Sequence, residues 1–504
     1  MSRVPGFLAI VFALLYGALP THAAQGAALE RGTAITDPAT LRELDGGKFR
    51  LDRLLLPERS VDIPLANSEL FAMPSMAPVR RAIDGEFDRY IARHRASLPK
   101  ETIGVGDGFD FQLFDRTQLY SAETRFVLAG IVNRMDRTYA AEASCGEIRL
   151  IYRLTRANKA AGVDASPPRL PMTLNLVLKA KGEGVAITCS EIASRWLAAP
   201  LGGTLSAGGG PLDLIGHKNI DRIETNLQIA HAPKSSVRDF RTDYLLKVFR
   251  YDRDARLFAE SPMENQIDRA RLLADDGLKR EFRAWLLDPA NLAAFDRGTV
   301  LIPEKFLASG AIAPTPVGFD PSDLEPEFGL VQGEGAAFSE SDVVAALRKA
   351  VEGGVKLQNI RSLAGFERRL NDVTCSGCHQ TRGIGGFHFP GVDWMADKPS
   401  NSTVVPASPH FFGEQIRRRD ILVSLRDGKS PDYSRGFASR PQLRGSTELA
   451  GTNYYDGWGA HCYAHGKPAA SNDASFRDWT CAEGLTCQAA GKISRIGMCF
   501  VKSR

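Results

Sequence analysis

Thr374 to Pro390 reads TCSGCHQTRGIGGFHFP, with Cys375 and Cys378 two residues apart and His379 directly after them. Two thiols so spaced can add to haem, cycle as a dithiol, supply half a zinc site, or close a disulfide. Haem attachment uses all three residues. Each thiol adds across one vinyl group, and the two-residue gap matches the vinyl separation when the segment is helical. The histidine must come next, so that its imidazole reaches the iron from the same turn. A zinc site needs four ligands, usually including a second Cys/His pair. His388 and His410 are on hand, but thiolates are poor long-term zinc ligands in an oxidising compartment. A thioredoxin-like dithiol belongs at a strand-to-helix junction, and here a helical pattern leads in. The favoured reading is therefore one covalent haem c, held by Cys375 and Cys378 with His379 as the proximal iron ligand. A plain disulfide without haem is the alternative.

The compartment agrees with that chemistry. MSRVPGFLAIVFALLYGALPTHAAQ has a basic start, an apolar run from Phe7 to Leu19, and small residues before a cleavage point after Ala23. This is the order of a secretory signal, so 1–23 is expected to be removed and the protein exported, to the periplasm or beyond the cell. No later run of about 18 apolar residues follows, so no transmembrane segment is expected. The net charge of +4 over 504 residues gives no reason to invoke nucleic acid. The run Arg417 to Arg419 reads as a solvated helix face.

The elements that must position the motif come next. RFVLAGIVNRM (125–135), EIRLIYRL (147–154) and PMTLNLVLKA (171–180) read as strands, as do Ile220–His231 and Thr242–Arg250. Helical spacing marks the stretch from Ala77, with Val79, Ile83, Phe87, Tyr90 and Ile91 on one face, and the stretches after Cys189 and over 265–288. These make an α+β N-terminal domain over 24–312. Pro- and Gly-rich 313–336 reads as a linker. A small, mainly helical haem domain is expected over 337–445: one helix from Ser339 to Gly353, and another over 360–373 that runs straight into Cys375. A disulfide-rich module over 446–504 closes the chain.

The sixth iron ligand is drawn from three residues. Met395 lies in a Gly- and Pro-bordered loop. His410 begins a helix capped by Ser408 and ended at Gly428, where the dipole favours the neutral imidazole that iron requires. His388 stands only nine residues past His379, a tight crossing to the far haem face. An open distal position is the remaining option, and it belongs to peroxidase-type enzymes rather than electron carriers.

All eight cysteines lie beyond the signal. Export makes unpaired thiols unlikely to persist, so Cys145 with Cys189, and Cys462, Cys481, Cys487 and Cys499 among themselves, are expected to pair. Within the tail the interleaved pattern Cys462–Cys487 and Cys481–Cys499 is favoured, since it compacts a small module best. Such a module contacts carbohydrate or protein as often as it merely caps a domain. In the N-terminal domain, Asn133, Arg134 and Asp136 of NRMD, with Glu147 and Arg149 of CGEIR, are placed to form a buried polar network between adjacent strands.

TCSGCHQ resembles the attachment site of c-type cytochromes, over Cys375, Cys378 and His379 alone. IVNRMDR…CGEIRLIYR (131–153), CSGCHQTRGIGGFH, SPHFFGEQIRRR and the terminal HCYAHG…WTCAEGLTC…GMC are together similar to a group of uncharacterised exported bacterial proteins. The first resemblance implies haem; the second covers much of the chain and implies no activity. The expected function is one-electron transfer with an unknown redox partner. A secreted binding protein, with the two motif cysteines as a disulfide, is the second expectation, and a peroxidase-like haem enzyme the third.

Overall fold

The computed structural model describes residues 32–156, 169–199, 205, 208–232, 242–315, 337–375, 415–436, 461–463, 485–489 and 496–501. Ten strands form one sheet: β1 (Ala34–Ile35), β2 (Ile103–Gly104), β3 (Phe111–Leu113), β4 (Thr124–Arg134), β5 (Glu147–Arg156), β6 (Arg169–Lys179), β7 (Ile220–His231), β8 (Thr242–Asp252), β9 (Leu257–Ser261) and β10 (Gly310–Thr315). Its heart is a meander, β4 to β8, in which each strand pairs antiparallel with the next. β1 adds to the free edge of β4, while β9 and β10 share the free edge of β8. β3 continues the β6 edge along the end of β7, and among the described strands β2–β3 is the one parallel pair.

Two faces follow from the strand period of two. Leu150, Leu176, Ile223 and Phe249 are cross-strand partners in one row on the first face, and all are buried. Helices α1 (Pro38–Gly46), α2 (Leu51–Leu55), α3 (Asn67–Leu70) and α4 (Ala77–Ser97) belong to the same apolar core. α4 turns Val79, Ile83, Phe87, Tyr90 and His94 inward, and the Tyr90 hydroxyl donates to Asp243 on β8 at 2.7 Å. Asp45 of α1 accepts from the Leu128 amide of β4 at 2.9 Å, and Tyr152 of β5 donates to the Phe49 carbonyl at 2.7 Å. Burial pushes the Asp45 carboxyl up to about 6, although Leu128 and Arg125 favour its charged form.

The remaining helices are α5 (Cys189–Ala198), α6 (Arg269–Ala274), α7 (Asp276–Leu286), α8 (Pro289–Arg297), α9 (Glu340–Glu352), α10 (Leu363–Val373) and α11 (Gln415–Arg426). Here the expected fold class is corrected. The described residues of 337–445 form no small, mainly helical domain of their own: the described molecule is built around the ten-stranded sheet. α9 and α10 share one apolar cluster with residues 267–307, in which Phe366 of α10 packs on Phe295 of α8 and on Phe338. α11 packs instead on α5, beside the sheet. The reason is physical. α10 offers the cluster one stripe, Leu363, Phe366, Leu370 and Val373, too narrow to enclose a core of its own, and it is buried only because α6 to α9 complete it. The expected linker begins inside β10, and 316–336 lie outside the described residues. Three short strands, β11 (His461–Tyr463), β12 (Leu485–Ala489) and β13 (Ile496–Val501), form a separate antiparallel sheet in the C-terminal stretch.

Candidate functional site

α10 delivers the first residue of the motif, and both of its ends are fixed. Before it, the Asp296 carboxylate of α8 accepts three backbone amides, from Gln358 at 2.9 Å, Asn359 at 2.6 Å and Ile360 at 2.8 Å. After it, buried Thr374 bends the chain, and Cys375 stands in helical conformation. The Cys375 amide donates to Oε1 of Gln266 at 3.0 Å. Half-buried Cys375 packs against an apolar cluster of Leu246 and Val248 on β8, Ala311 and Ala313 on β10, and Met263.

Those β8 and β10 residues lie on the second face of the sheet, and that face carries the charges. Arg134 pairs across the ladder with Glu147, Val177 with both Arg149 and Arg222, and Glu224 with Val248, so all share it. Glu147 accepts from Arg222 at 2.9 Å and Arg149 at 3.2 Å, with Arg137 at 3.4 Å. Glu224 receives Arg222 at 2.8 Å and Arg149 at 3.1 Å. Arg137 also pairs with Glu264, which follows Met263 in the connection after β9. Beside this group, Asp136 binds Arg134 at 2.9 Å, Arg417 at 3.2 Å and Arg418 at 3.5 Å. Arg418 further donates to the Asn133 carbonyl at 2.9 Å.

Burial alone would raise the Asp136 and Glu147 carboxyls, yet the arginines around each outweigh it and hold both well below the usual carboxylate range. Arg418 is 2% exposed, so the expected solvated face of Arg417 to Arg419 is corrected for this residue; Arg419 alone of the three is exposed. A buried guanidinium needs a counter-charge, and Asp136 supplies it from a distant part of the chain. The network expected from NRMD and CGEIR is present and larger than expected, since Asp221, Arg222, Glu224 and Glu264 join it. A signal for Arg222 and Glu224 exists in the sequence: charges at alternate positions of a strand whose other face carries Ile223, Leu227 and Ile229. Gln266 has no such signal.

The loop between β4 and β5 explains how the strands bring these groups together. Cys145 sits at φ +57° and Gly146 at φ +84°, and a Cβ at Gly146 would stand 2.6 Å from the Arg134 carbonyl oxygen. Only glycine allows that approach, and it sets Arg134 opposite Glu147. Cys145 is disulfide-bonded to Cys189 at the start of α5, joining the strand connection to the helix on which α11 packs. At the end of α11, Gly428 adopts φ +65° and its amide donates to the Leu425 carbonyl, closing the helix as its glycine requires.

Cys378, His379, His388, Met395 and His410 lie outside the described residues, as do the signal segment and Cys481. Of the tail cysteines, Cys487 is disulfide-bonded, and Cys462 and Cys499 are described only as backbone, in β11 and β13. Among the described residues no three metal-ligating side chains are gathered, and no helix is long and apolar enough to cross a membrane. Of the motif, Cys375 alone is described: helical, just past the end of α10, and half-buried beside apolar side chains. No family model matches the chain, and neither a curated protein nor a solved structure matches it.

Proposed function

We propose that this is an exported c-type haem protein that transfers single electrons, with haem bound through Cys375 and Cys378 and His379 on the iron. The observation that carries the reading is the sequence C-x-x-C-H together with its first cysteine, which follows a helix fixed at both ends and is helical and half-buried against an apolar patch. When bound, haem supplies the one-electron iron couple, tuned by its axial ligands and burial. The chain's own residues hold the attachment point still. Asp296 fixes the entry to α10, and the aromatic contacts of Phe366 seat the helix. A rigid support keeps the geometry alike in both oxidation states, which electron transfer favours. Met395, His410 and His388 are the distal candidates, and the C-terminal module is a candidate contact for carbohydrate or protein.

The test is an alkaline pyridine haemochrome spectrum of denatured protein, exported by a host that matures c-type cytochromes. A c-type spectrum abolished by Cys375→Ala with Cys378→Ala supports the reading. A colourless protein whose mass fits only disulfides refutes it and leaves a secreted binding protein. Carbon monoxide binding to the native ferrous form would identify an open distal position and a peroxidase-like enzyme instead.

A further inference from the structure

We propose that the N-terminal strap, β1 and α1, is a pH-sensitive latch on the free edge of β4, held shut by the neutral Asp45 carboxyl and loosened when that carboxyl ionises. The inference is independent of the haem reading. The strap is fastened at two ends. At the first, β1 pairs Ala34 with Val132 and Ile35 with Ile131. There the Asn133 amide donates to the Thr33 carbonyl at 2.9 Å, and the Asn133 side chain donates to the Gly32 carbonyl at 3.0 Å. The second lies beyond the reach of β1, beside the bulge between Leu128 and Gly130: Asp45, in the last turn of α1, accepts the Leu128 amide at 2.9 Å. Between the two, α1 buries Leu41 and Leu44.

Charge decides how firmly the second fastening holds. Asp45 is 3% exposed, and the groups around it do not fully replace water. Arg125 of β4 stands 3.9 Å away, beyond hydrogen-bond length. Arg50, just before α2, is engaged by Asp52 at 2.7 Å and by Asp62 at 3.2 Å, and Asp52 sets a like charge near Asp45. Tyr152 of β5 faces the same carboxyl, but its hydroxyl donates to the Phe49 carbonyl. An anion so buried loses more hydration than these partners return, and the Asp45 carboxyl is pushed up to about 6. Freed from the sheet it regains its ordinary 3.8, so opening becomes easier as pH rises from that value and levels off above 6. Across this range the guanidinium groups keep their charge, and burial keeps the Tyr152 hydroxyl neutral. The latch also bears on α11. A Cβ at Gly32 would stand 3.3 Å from Leu197 of α5 and 3.4 Å from Leu422 of α11, and the Asn133 carbonyl accepts Arg418. A loosened strap therefore bares the β4 edge and slackens the seat of that helix.

The experiment is amide exchange of the full chain, read by mass spectrometry across the acid-to-neutral range and corrected for the intrinsic rate at each pH. Protection over 34–46 should fall roughly a hundredfold between about pH 4 and about pH 7, the ratio set by a shift of about two pH units. At every pH the strap should be less protected than β5 to β7, because it opens before the sheet does. Asp45→Asn should remove the pH dependence. Arg125→Met, which takes away a charge that favours the ionised form, should move the levelling-off to higher pH. A wild-type strap indifferent to pH overturns the proposal, as does a dependence that survives in Asp45→Asn. Equal protection of strap and meander overturns it too, since the two would then open only together. If Asp45→Asn does not fold, Arg125→Met decides alone, and an unmoved transition in that variant overturns the proposal.

Discussion

Asp136→Asn should cost about 3 kcal/mol and loosen α11 first. The carboxylate is buried among three guanidinium groups, Arg134, Arg417 and Arg418, at 2.9, 3.2 and 3.5 Å. At about 4 Å and an effective dielectric of about 20, each such pair gains roughly 4 kcal/mol before desolvation is counted. Much of that is offset by burying the charges, so the useful quantity is the cost of removing one partner, about 3–5 kcal/mol. Asparagine keeps one acceptor oxygen, which places this variant at the low end. Two of the three arginines sit on α11, so the loss should concentrate there. Urea unfolding followed by circular dichroism gives the global figure. Amide exchange over Gln415–Arg426 gives the local one: at about 1.4 kcal/mol per decade, protection should fall roughly a hundredfold. The pH dependence has a definite sign. Asp136 has its folded pKa depressed, so its contribution is present above the unfolded carboxylate range and is lost as pH falls through the folded value. Asp136→Asn should therefore flatten the acid limb of the stability curve. A variant within about 1 kcal/mol of wild type, with α11 protection unchanged, would refute the idea that this carboxylate holds the helix.

Two further perturbations test other parts of the frame. Asp45 is an acid whose folded pKa, about 6, lies above its ordinary 3.8, so its contribution is full below the unfolded value and is lost as pH rises through 6. The shift corresponds to about 3 kcal/mol, so Asp45→Asn should gain on wild type by up to about that much between pH 4 and 7; a pH-independent difference would show that Asp45 is not the titrating group. Removing the Cys145–Cys189 bridge, which spans 44 residues, should cost about 4 kcal/mol on loop-closure grounds. Thermal unfolding of the double serine variant measures it, and exchange should rise in α5 and α11 before the meander if the bridge secures that helix pair.

The five meander strands were legible because Val, Ile and Leu recur in them without helical spacing, and each was expected within a few residues of where it lies. The charged network was legible in part, because NRMD and CGEIR put ionisable residues inside otherwise apolar strands, where they must be paired. Its remaining members were not. Arg417 and Asp136 stand 281 residues apart, and a charge run on a helix looks the same whether it meets water or a buried carboxylate. The helical layer failed for a related reason. A stripe such as Phe366 and Leu370 says that a helix face must be buried, and says nothing of which partner buries it; here Phe295 and Phe338 do so. Gln266 was illegible altogether, since one uncharged side chain bonding one amide leaves no pattern in sequence.

The two anchors of the motif-bearing stretch share a support that neither reveals alone. Cys375 is fixed through Gln266 and packs on the β8–β10 patch, while Arg417 and Arg418 are fixed on Asp136 just past the end of β4. Arg134 and Glu147 face each other across β4 and β5, Glu147 reaches Arg137, and Arg137 reaches Glu264 in the turn that holds Gln266. Both anchors are therefore fastened to one face of one sheet through connected charges. A meander is suited to this, because its strands are stiff, consecutive and cross-braced, and its first face is already sealed by helices against the main core. The second face is left to carry polar groups, and alternation along each strand aligns those groups into rows without disturbing the core beneath.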